Sequence, residues 1–275
     1  MKVHLNKQQF GPWAVVTGAS SGIGKEFARQ IAASGIHVVL VSRRLALLEE
    51  VGDGLAKDFG VAFKTVFADL SKDGFMKDLI DATTDLDIGL VVSNAGSASP
   101  GRFLDENRNK MAALQKLNTL AHLDIAHHFG RKLARRKRGG LLFVGAMGSE
   151  RGVPYMADDA AAKAYIQSFS QALHVEFRPL RVHVTVLAPG PTQTAAIAQL
   201  GLDPQEMPMK PMSVEHCVSE GLSALKANRS LIIPGRMNRI MNVILPPNLV
   251  RTMMARMFEK TLGNQSKVPS KAEVR

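Results

Sequence analysis

The stretch Thr17-Gly18-Ala19-Ser20-Ser21-Gly22-Ile23-Gly24 has the residue types and spacing of an anion-binding turn. An apolar run, Trp13 to Val16, precedes it and an amphipathic run, Ile23 to Ser34, follows it, which predicts a strand, a turn and a helix. Glycine lets the backbone approach a ligand closely, and a helix N-terminus offers N–H groups and a positive dipole end. The turn is therefore predicted to bind the pyrophosphate of a dinucleotide. An ordinary glycine-rich turn is the alternative.

The next strand is predicted at His37 to Ser42 and ends in Ser42-Arg43-Arg44. In dinucleotide-binding folds an acidic residue at this strand end binds the ribose 2′-hydroxyl, whereas a nearby arginine accommodates a 2′-phosphate. Ser42 cannot act as the acid, and Arg43 is placed to pair with a phosphate. The pattern favours NADP(H) over NAD(H). A merely solvated pair, Arg43 and Arg44, is the alternative.

Thr17 and the spacing Gly-x-x-x-Gly-x-Gly resemble the first motif of the short-chain dehydrogenase/reductase family. Further motifs of that family recur in order over roughly Trp13 to Ile233: Asp69-Leu70, Asn94-Ala95-Gly96, Asn118, Lys163 and Pro189-Gly190. The resemblance implies an α/β fold, a Rossmann-type doubly wound parallel sheet of about seven strands in a single domain. It also implies an oxidoreductase that acts on a carbonyl or alcohol substrate with NADP(H).

The resemblance implies further cofactor contacts beyond the first turn. An aspartate would face the adenine amino group, a lysine would hold the ribose, and the backbone after strand six would bind the nicotinamide carboxamide. The implied residues are Asp69, Leu70, Asn94, Ala95, Gly96, Lys163, Pro189, Gly190, Thr192 and Thr194. Asp69 has an alternative role as the cap of the next helix.

The implied catalytic centre departs from the family pattern. In the family a tyrosine four residues before the lysine donates a proton to the carbonyl oxygen, and a serine thirteen residues before that tyrosine hydrogen-bonds the oxygen. Counted back from Lys163, these positions hold Asp159 and Ala146. Asn118 matches the asparagine that marks a helix kink and holds a water of the proton relay. A polar surface role for Asn118 is the alternative.

Asp159 is a poor replacement for a tyrosine. It shares a helix face with Lys163, four residues later. At its reference pKa near 4, against about 10 for tyrosine, it would be ionised at pH 7, and an ion pair would draw Lys163 away from the ribose. Ser149 and Tyr155 are weaker candidates for the missing hydroxyls.

These residues leave three functions open. The first is an NADP(H)-dependent oxidoreductase with an altered or inactivated centre, acting on a small-molecule substrate. The second is a non-catalytic NADP(H)-binding sensor or scaffold. The third is a lyase or isomerase with Asp159 as general base.

The remaining pattern places these residues on a regular series of elements. Later strands are predicted at Val61–Phe67, Leu86–Ser93, Leu141–Val144, Val182–Leu187 and Leu231–Pro234, and helices at Leu45–Phe59, Asp105–Lys137, Ala160–Phe177 and Val214–Ala227. Residues 1–12 are expected to be a polar lead-in to a domain that ends near 235. Residues 195–213 are expected to form a lid over the substrate, and 264–275 a disordered tail.

The charge and the carboxyl-terminal region raise the question of partners. The net charge is +11, but its densest run, Arg131 to Arg138, ends a predicted helix, where cations complement the dipole, and no aromatic platform accompanies it. Nucleic acid is therefore not expected. The basic, Met-rich helical extension 236–263, interrupted by Leu245-Pro246-Pro247, could dock on a membrane surface, on a partner subunit or on the substrate cleft.

The composition bounds the remaining expectations. Hydrophobic residues make up 45% of the chain, which is typical of a globular protein, and the single cysteine, Cys217, excludes an internal disulfide. No metal-ligand spacing is present. We expect a homodimer or homotetramer, and a cytoplasmic location because no secretory signal or long apolar span is seen.

Overall fold

The computed structural model describes residues 3–203, 205, 207 and 209–265. Its seven parallel strands are β1 (Trp13–Thr17), β2 (His37–Ser42), β3 (Phe63–Phe67), β4 (Ile88–Ser93), β5 (Gly140–Val144), β6 (His183–Leu187) and β7 (Leu231–Ile232). They form one sheet in the order β3-β2-β1-β4-β5-β6-β7. The strand order reverses between β1 and β4, so a crevice opens outside the carboxyl ends of these strands. The predicted fold class is confirmed.

Eleven α-helices accompany the sheet within the described residues. They are α1 (Lys7–Phe10), α2 (Gly22–Ala32), α3 (Leu45–Phe59), α4 (Phe75–Thr83), α5 (Arg108–Gln115), α6 (Ala121–Arg136), α7 (Ala157–Phe177), α8 (Ala195–Gln199), α9 (Val214–Lys226), α10 (Arg236–Ile244) and α11 (Pro247–Gln265). Side chains alternate across each strand, so Val16 of β1 joins the core that contains residues of α2, α3 and α9. Its neighbour Val15 joins the core with residues of α4, α6 and α7. The strands are apolar because both of their faces are buried.

The amino-terminal segment is more structured than predicted. It contains the short helix α1, whose N-cap Asn6 accepts a hydrogen bond from the Gln8 N–H at 2.8 Å. Phe10 is fully buried beneath the sheet, with its ring 5.5 Å from the ring of His183. The segment predicted as a polar lead-in therefore packs against the amino ends of the strands.

The long helix predicted from Asp105 to Lys137 is divided into three parts. α5 begins at Arg108, a π-helical turn occupies Lys116–Leu120, and α6 follows it. Asn118 lies within the π-helical turn. An extra residue in a helical turn redirects side chains, and such turns are frequent at functional sites.

The carboxyl-terminal extension forms two helices, as the Pro246-Pro247 interruption predicted. α10 ends at Ile244 and α11 begins at Pro247. The first two residues of the predicted tail, 264 and 265, belong to α11, and 266–275 lie outside the described residues. Within the described part of the chain, no helix is long and apolar enough to cross a bilayer.

Candidate active site

Hydrogen bonds join the turn after β1 to the turn after β4. The Thr17 hydroxyl oxygen accepts from the backbone N–H groups of Asn94 at 2.9 Å and Ala95 at 3.0 Å. The Asn94 side chain donates in return to the Thr17 carbonyl at 2.9 Å. Both turns are thereby held at the crevice where the strand order reverses.

The glycines of the first turn have conformations and surroundings that exclude side chains. Gly18 and Gly22 have φ of +69° and +54°, in the left-handed region. A Cβ on Gly24 would lie 2.2 Å from the Gly18 carbonyl oxygen and 2.6 Å from the Asn94 side-chain nitrogen. α2 begins at Gly22, and its N-cap Ser21 makes no side-chain capping bond to the described first turn. The backbone is therefore a close-fitting cradle with a helix N-terminus facing it.

Arg44 lies over this cradle, whereas the sequence argument had emphasised Arg43. Arg44 makes three hydrogen bonds there: Nε to Ser20 Oγ at 3.1 Å, and Nη2 to Ser20 Oγ at 2.8 Å and Ser21 Oγ at 2.6 Å. Both arginines are exposed, but Arg43 makes no hydrogen bond to Ser20 or Ser21 in the described structure, and its charge acts on Asp69. The guanidinium nearest to the cradle is that of Arg44.

Asp69 forms a local turn and does not cap the next helix. Its Oδ1 accepts from the Ser71 N–H at 3.1 Å and from the Ser71 hydroxyl at 2.7 Å, while the N-cap of α4 is Gly74. Burial acts to raise the pKa of Asp69, but the Ser71 hydrogen bonds and the charge of Arg43 together hold it below its ordinary value. Its neighbour Leu70 is buried in the core.

The turn after β6 reaches the same cradle. A Cβ on Gly22 would lie 3.4 Å from the Thr194 methyl carbon, so Thr194 lies beside the first turn. Thr192 is buried, and its hydroxyl donates to the Gly190 carbonyl at 3.0 Å. A Cβ on Gly190 would lie 2.9 Å from the Asn238 side-chain nitrogen, so α10 supports this turn from behind. Pro189, which precedes it, accepts from the Met147 N–H at 2.9 Å.

Asn118 is the centre of the second cluster. Its Oδ1 accepts from the Ser97 N–H at 3.0 Å, and its Nδ2 donates to the Ser97 carbonyl at 2.7 Å and to Asp159 Oδ1 at 3.3 Å. A Cβ on Gly96 would lie 3.0 Å from Lys163 Nζ and 3.1 Å from Asn118 Oδ1. Asn118 is buried, which excludes the alternative of a surface residue.

Lys163 and Asp159 share a helix face without forming an ion pair. Among the described residues no ion pair within 4.0 Å joins them, and Lys163 Nζ donates to the Val144 carbonyl at 3.3 Å. The withdrawal of Lys163 considered from the sequence is therefore not seen. Its ammonium group lies against Gly96, at the carboxyl ends of β4 and β5.

Burial changes the proton affinities of both groups. It raises the pKa of Asp159, and the Lys163 charge opposes this shift. Burial also lowers the pKa of Lys163, and Asp159 opposes that shift. The sequence alone predicts an Asp159 carboxyl with its reference pKa, but in the structure this pKa is raised. The carboxyl group is shifted toward its neutral, proton-bearing form.

His122 lies behind this cluster and was not singled out from the sequence. Its Nδ1 is 2.7 Å from the Ser93 hydroxyl oxygen. Burial, together with the charge of Lys163, lowers the pKa of His122 to about 3, so the ring is neutral at pH 7. His122 follows Asn118 by four residues, and this one-turn spacing is the signal that could have identified it.

The hydroxyls considered as replacements are held by other partners. Ser149 is buried and accepts from Gln167 Nε2 at 2.5 Å, and the same amide donates to the Ala146 carbonyl at 2.7 Å. Tyr155 donates to Glu259 Oε1 of α11 at 2.7 Å, and this bond raises the pKa of the phenol. Neither hydroxyl hydrogen-bonds to Asn118 or Asp159 in the described structure.

A small cavity of about 50 Å³ opens beside Asp159. Its lining comes from the loop after β4, from α5 with the π-helical turn, and from the start of α7: Ser99, Gly101, Phe103, Glu106, Met111, Leu114, Asn118, Tyr155, Met156, Ala157, Asp158 and Asp159. This volume holds only a few waters, so a larger substrate requires the lining loops to move.

The carboxyl-terminal helices pack against the cleft wall. Phe258 of α11 is 1% exposed and forms a cluster with Ile197 and Leu202 of the predicted lid, against which Tyr155 and Met156 pack. Arg151, in the loop before α7, donates to the Leu245 carbonyl at 3.0 Å and also to the Asn242 carbonyl. The extension 236–263 therefore contacts the wall of the cleft, which is one of the three docking surfaces that the sequence leaves open.

Comparison with known proteins gives close relatives over most of the chain. The family model described as short chain dehydrogenase matches residues 12–205. A 7beta-hydroxysteroid dehydrogenase of Collinsella aerofaciens is 32% identical over 236 residues, which cover 85% of this chain and 89% of that protein. A very-long-chain 3-oxoacyl-CoA reductase of Podospora anserina is 34% identical over 225 residues, 71% of this chain and 65% of that protein.

Solved structures agree with these matches. A structure described in a study of 7beta-hydroxysteroid dehydrogenase stereoselectivity superposes with a TM-score of 0.83 at 29% identity, covering 90% of this chain and 98% of that chain. A short-chain dehydrogenase from Sphingobium yanoikuyae in complex with NADPH has a TM-score of 0.77 at 26% identity, covering 96% and 99%. The similarity therefore extends over at least nine tenths of the chain.

Proposed function

Because the chain belongs to the short chain dehydrogenase family, we propose that it is an NADP(H)-dependent oxidoreductase of a carbonyl or alcohol substrate whose proton-transfer centre is altered at Ala146 and Asp159. The observation that carries the proposal is the contrast between two clusters. The cradle keeps the features that a dinucleotide requires, and the neighbouring centre has a carboxyl and a methyl group where the family has hydroxyls.

The residues of the cradle fit a nicotinamide dinucleotide. Space that a Cβ would fill at Gly24, and the helix N-terminus beside it, suit a pyrophosphate. Arg44, with Ser20 and Ser21, would hold a 2′-phosphate, which supports NADP(H), and a relative with NADPH bound is consistent with this. When bound, NADP(H) supplies the hydride for reduction. Lys163 would hold the ribose, and the backbone near Thr194 the carboxamide.

The chain's own residues then have to manage the proton on the substrate oxygen. Ala146 offers no hydrogen bond to this oxygen. Asp159 can donate a proton only in its neutral form, which burial favours and the Lys163 charge opposes. Loss of a well-placed donor typically lowers a rate about 10²- to 10⁴-fold, and loss of an oxyanion partner about 10²- to 10³-fold. Slow turnover is the expected result.

The substrate class follows from the cleft lining and from the relatives. Phe103, Met111, Leu114 and Met156 give the cavity an apolar wall. Two relatives act, by their names, on hydroxysteroids and on very-long-chain 3-oxoacyl-CoA, each of which has a large apolar part, the steroid skeleton or the acyl chain. We infer an apolar ketone or secondary alcohol.

A second candidate function is NADP(H) binding without turnover. It is favoured by the Tyr155 hydroxyl, which donates its proton to Glu259, and by the Ser149 hydroxyl, which is buried against Gln167 and makes no hydrogen bond to Asp159 in the described structure. A protein of this kind would sense or present the cofactor.

The deciding experiment measures NADPH oxidation with a panel of apolar ketones and, separately, NADPH binding. The wild type should bind NADPH and turn over slowly, and Ala146→Ser with Asp159→Tyr should raise the rate at least a hundredfold, far more than either change alone. Asp158→Ala is the matched control at the neighbouring carboxyl. NADPH binding with no turnover in either protein would favour the sensor. If the wild type reduces ketones at the ordinary rate of the family and Asp159→Ala abolishes this activity, Asp159 is a catalytic residue. The proposal of slow turnover by an altered centre is then wrong.

The predicted homodimer or homotetramer and the cytoplasmic location remain proposals. Light scattering of the purified protein and fractionation of cells test them.

A further inference from the structure

Helix α10 turns a largely polar face toward the protein, whereas an ordinary surface helix turns its apolar face inward. Its inward face is polar: Asn238 is buried and donates to the Pro234 carbonyl at 2.8 Å, and Arg239 donates to Glu220 Oε2 at 2.7 Å. Surface helices of globular proteins normally direct their apolar stripe inward. Polar groups therefore occupy much of the inner side of α10, which it shares with the half-buried Met241, and the other large apolar side chains of the helix face outward.

The outward face of α10 carries four large apolar side chains. Their exposed fractions are 62% for Met237, 49% for Ile240, 81% for Val243 and 67% for Ile244. The spacing of three and four residues places them on one side of the helix. Single exposed apolar residues are common, but a group on one helix face indicates a binding surface.

α11 adds a mixed apolar and basic surface. Leu249 and Met253 are exposed, one turn apart, and Arg256 is exposed on the following turn. Met254 and Phe258, on another side of the same helix, pack with Ile197 and Leu202 of the predicted lid. The exposed apolar residues of the two helices, together with Arg236 and Arg256, are called the outer surface below.

The charge of this segment distinguishes between possible occupants. Residues 236–263 hold five cationic side chains and one acidic side chain, Glu259, and one of the five, Arg239, is paired with Glu220 outside the segment. In a two-fold dimer the same patch meets itself, so a second copy would bring these cations together. Anionic lipid headgroups complement them, and each cation near such a surface strengthens binding about fivefold.

We propose that the outer surface docks the protein on an anionic lipid bilayer, with the apolar side chains of α10 at the headgroup and acyl boundary. An apolar face with a basic border is the pattern of helices that lie in this interface. Because α11 packs against Tyr155 and Met156, which line the cavity, docking holds the cleft beside the bilayer. Apolar molecules dissolved in the membrane then have a short path to it.

The test is sedimentation of the full chain with vesicles of phosphatidylcholine alone or mixed with phosphatidylglycerol. Binding is expected only with the anionic vesicles and should weaken as salt rises. Ile240→Asp with Ile244→Asp should reduce binding at least tenfold, because each isoleucine loses its burial in lipid. Arg236→Gln and Arg256→Gln should each reduce it about fivefold. Both isoleucines are exposed, so circular dichroism and NADPH binding should not change.

Two controls distinguish binding through the outer surface from non-specific binding through other exposed apolar or basic residues. Val175→Asp changes an apolar residue of α7 that is 69% exposed and should leave vesicle binding unchanged. Arg135→Gln with Arg138→Gln removes two cations from the basic run at the end of α6 and should also leave it unchanged. Failure of the wild type to bind anionic vesicles overturns the proposal, as does loss of binding through Arg135 and Arg138. Light scattering that shows a dimer dissociated by Ile240→Asp would instead assign the surface to a second copy.

Discussion

Replacing Arg44 by alanine should weaken NADPH binding about ten- to a hundredfold and leave NADH binding nearly unchanged. The range corresponds to roughly 1.5–3 kcal/mol for hydrogen bonds to a charged group. Arg44 already lies within 2.6–3.1 Å of the Ser20 and Ser21 oxygens, so its side chain is ordered before the phosphate arrives. Ordering a flexible side chain costs about 0.5–1.5 kcal/mol on binding, and Arg44 avoids much of this cost. Arg44 is itself exposed, and screening by solvent offsets part of this gain, so we expect the middle of the range.

Arg43→Ala is the matched control at the next position. Arg43 is exposed, and an exposed ion pair contributes about 0–1 kcal/mol. Its removal should weaken NADPH binding about fivefold at most. Arg44→Lys should give an intermediate loss, because lysine keeps the charge but lacks the fork that reaches two serines.

The assay is fluorescence titration of each variant with NADPH and NADH at one fixed salt concentration. Melting temperatures without ligand should be measured in parallel, since Arg44 also bridges α3 to the first turn. Equal losses for NADPH and NADH would mean that Arg44 supports the turn and does not read the phosphate. A larger effect from Arg43 than from Arg44 would restore the assignment made from sequence alone.

Three further predictions concern the cradle and the centre. Gly24→Ala should destabilise the fold by at least about 1–3 kcal/mol, since a Cβ would lie 2.2 Å from a backbone oxygen. Gly54→Ala, in open space on α3, should stabilise it by about 0.5–1 kcal/mol. Similar free energies of unfolding for the two variants in urea would contradict this prediction. His122 has a lowered pKa of about 3, so the unfolded chain takes up its proton first as pH falls below 6.5, and up to about 3 kcal/mol of stability should be lost by pH 4. His122→Gln should lose less over this range in urea titrations, and an equal loss would place the acid sensitivity elsewhere. Any ketone reduction by the wild type should fall as pH rises through the raised pKa of Asp159, because only the neutral carboxyl donates, and Asp159→Asn should lack this limb of the profile.

β2 and α3 could be predicted to the residue because local signals agree there. The β-branched run His37 to Ser42 defines the strand, and Gly60, with φ of +66°, ends the helix that begins at Leu45. The same holds for the separation of α10 from α11, where two prolines follow Leu245. Where one element depends only on its own residues, periodicity was sufficient.

α1 and the seventh strand show where that reasoning fails. A helix of four residues has no periodicity to detect, and Phe10 is buried through contacts made far along the chain, with His183 among them. β7 ends at Ile232, two residues before the predicted end at Pro234, since proline cannot donate to the ladder. Tertiary packing and backbone chemistry decided these limits.

The candidate site was predicted by residue type more reliably than by role. Arg43 and Arg44 are adjacent, and the sequence does not show which one the start of α3 directs to the cradle. The proton affinity of Asp159 depends on burial, which no local pattern reports. His122 is placed behind the centre by the packing of α6 and by its contact with the Ser93 hydroxyl, and neither is visible in the local sequence.

The two parts of the site are synthesised at different times. Phe258 and Glu259, which pack on the predicted lid and on the loop before α7, lie near the end of the chain. The cradle is built from Gly18 to Asn94 and can form while the chain is still being made, since domains generally fold from the N-terminal side during translation. The packing behind the cleft wall needs α11, which begins more than 150 residues later. Nascent chains would therefore reach a stage that can hold the nucleotide before they can enclose a substrate, and the cofactor itself could then act as a folding ligand.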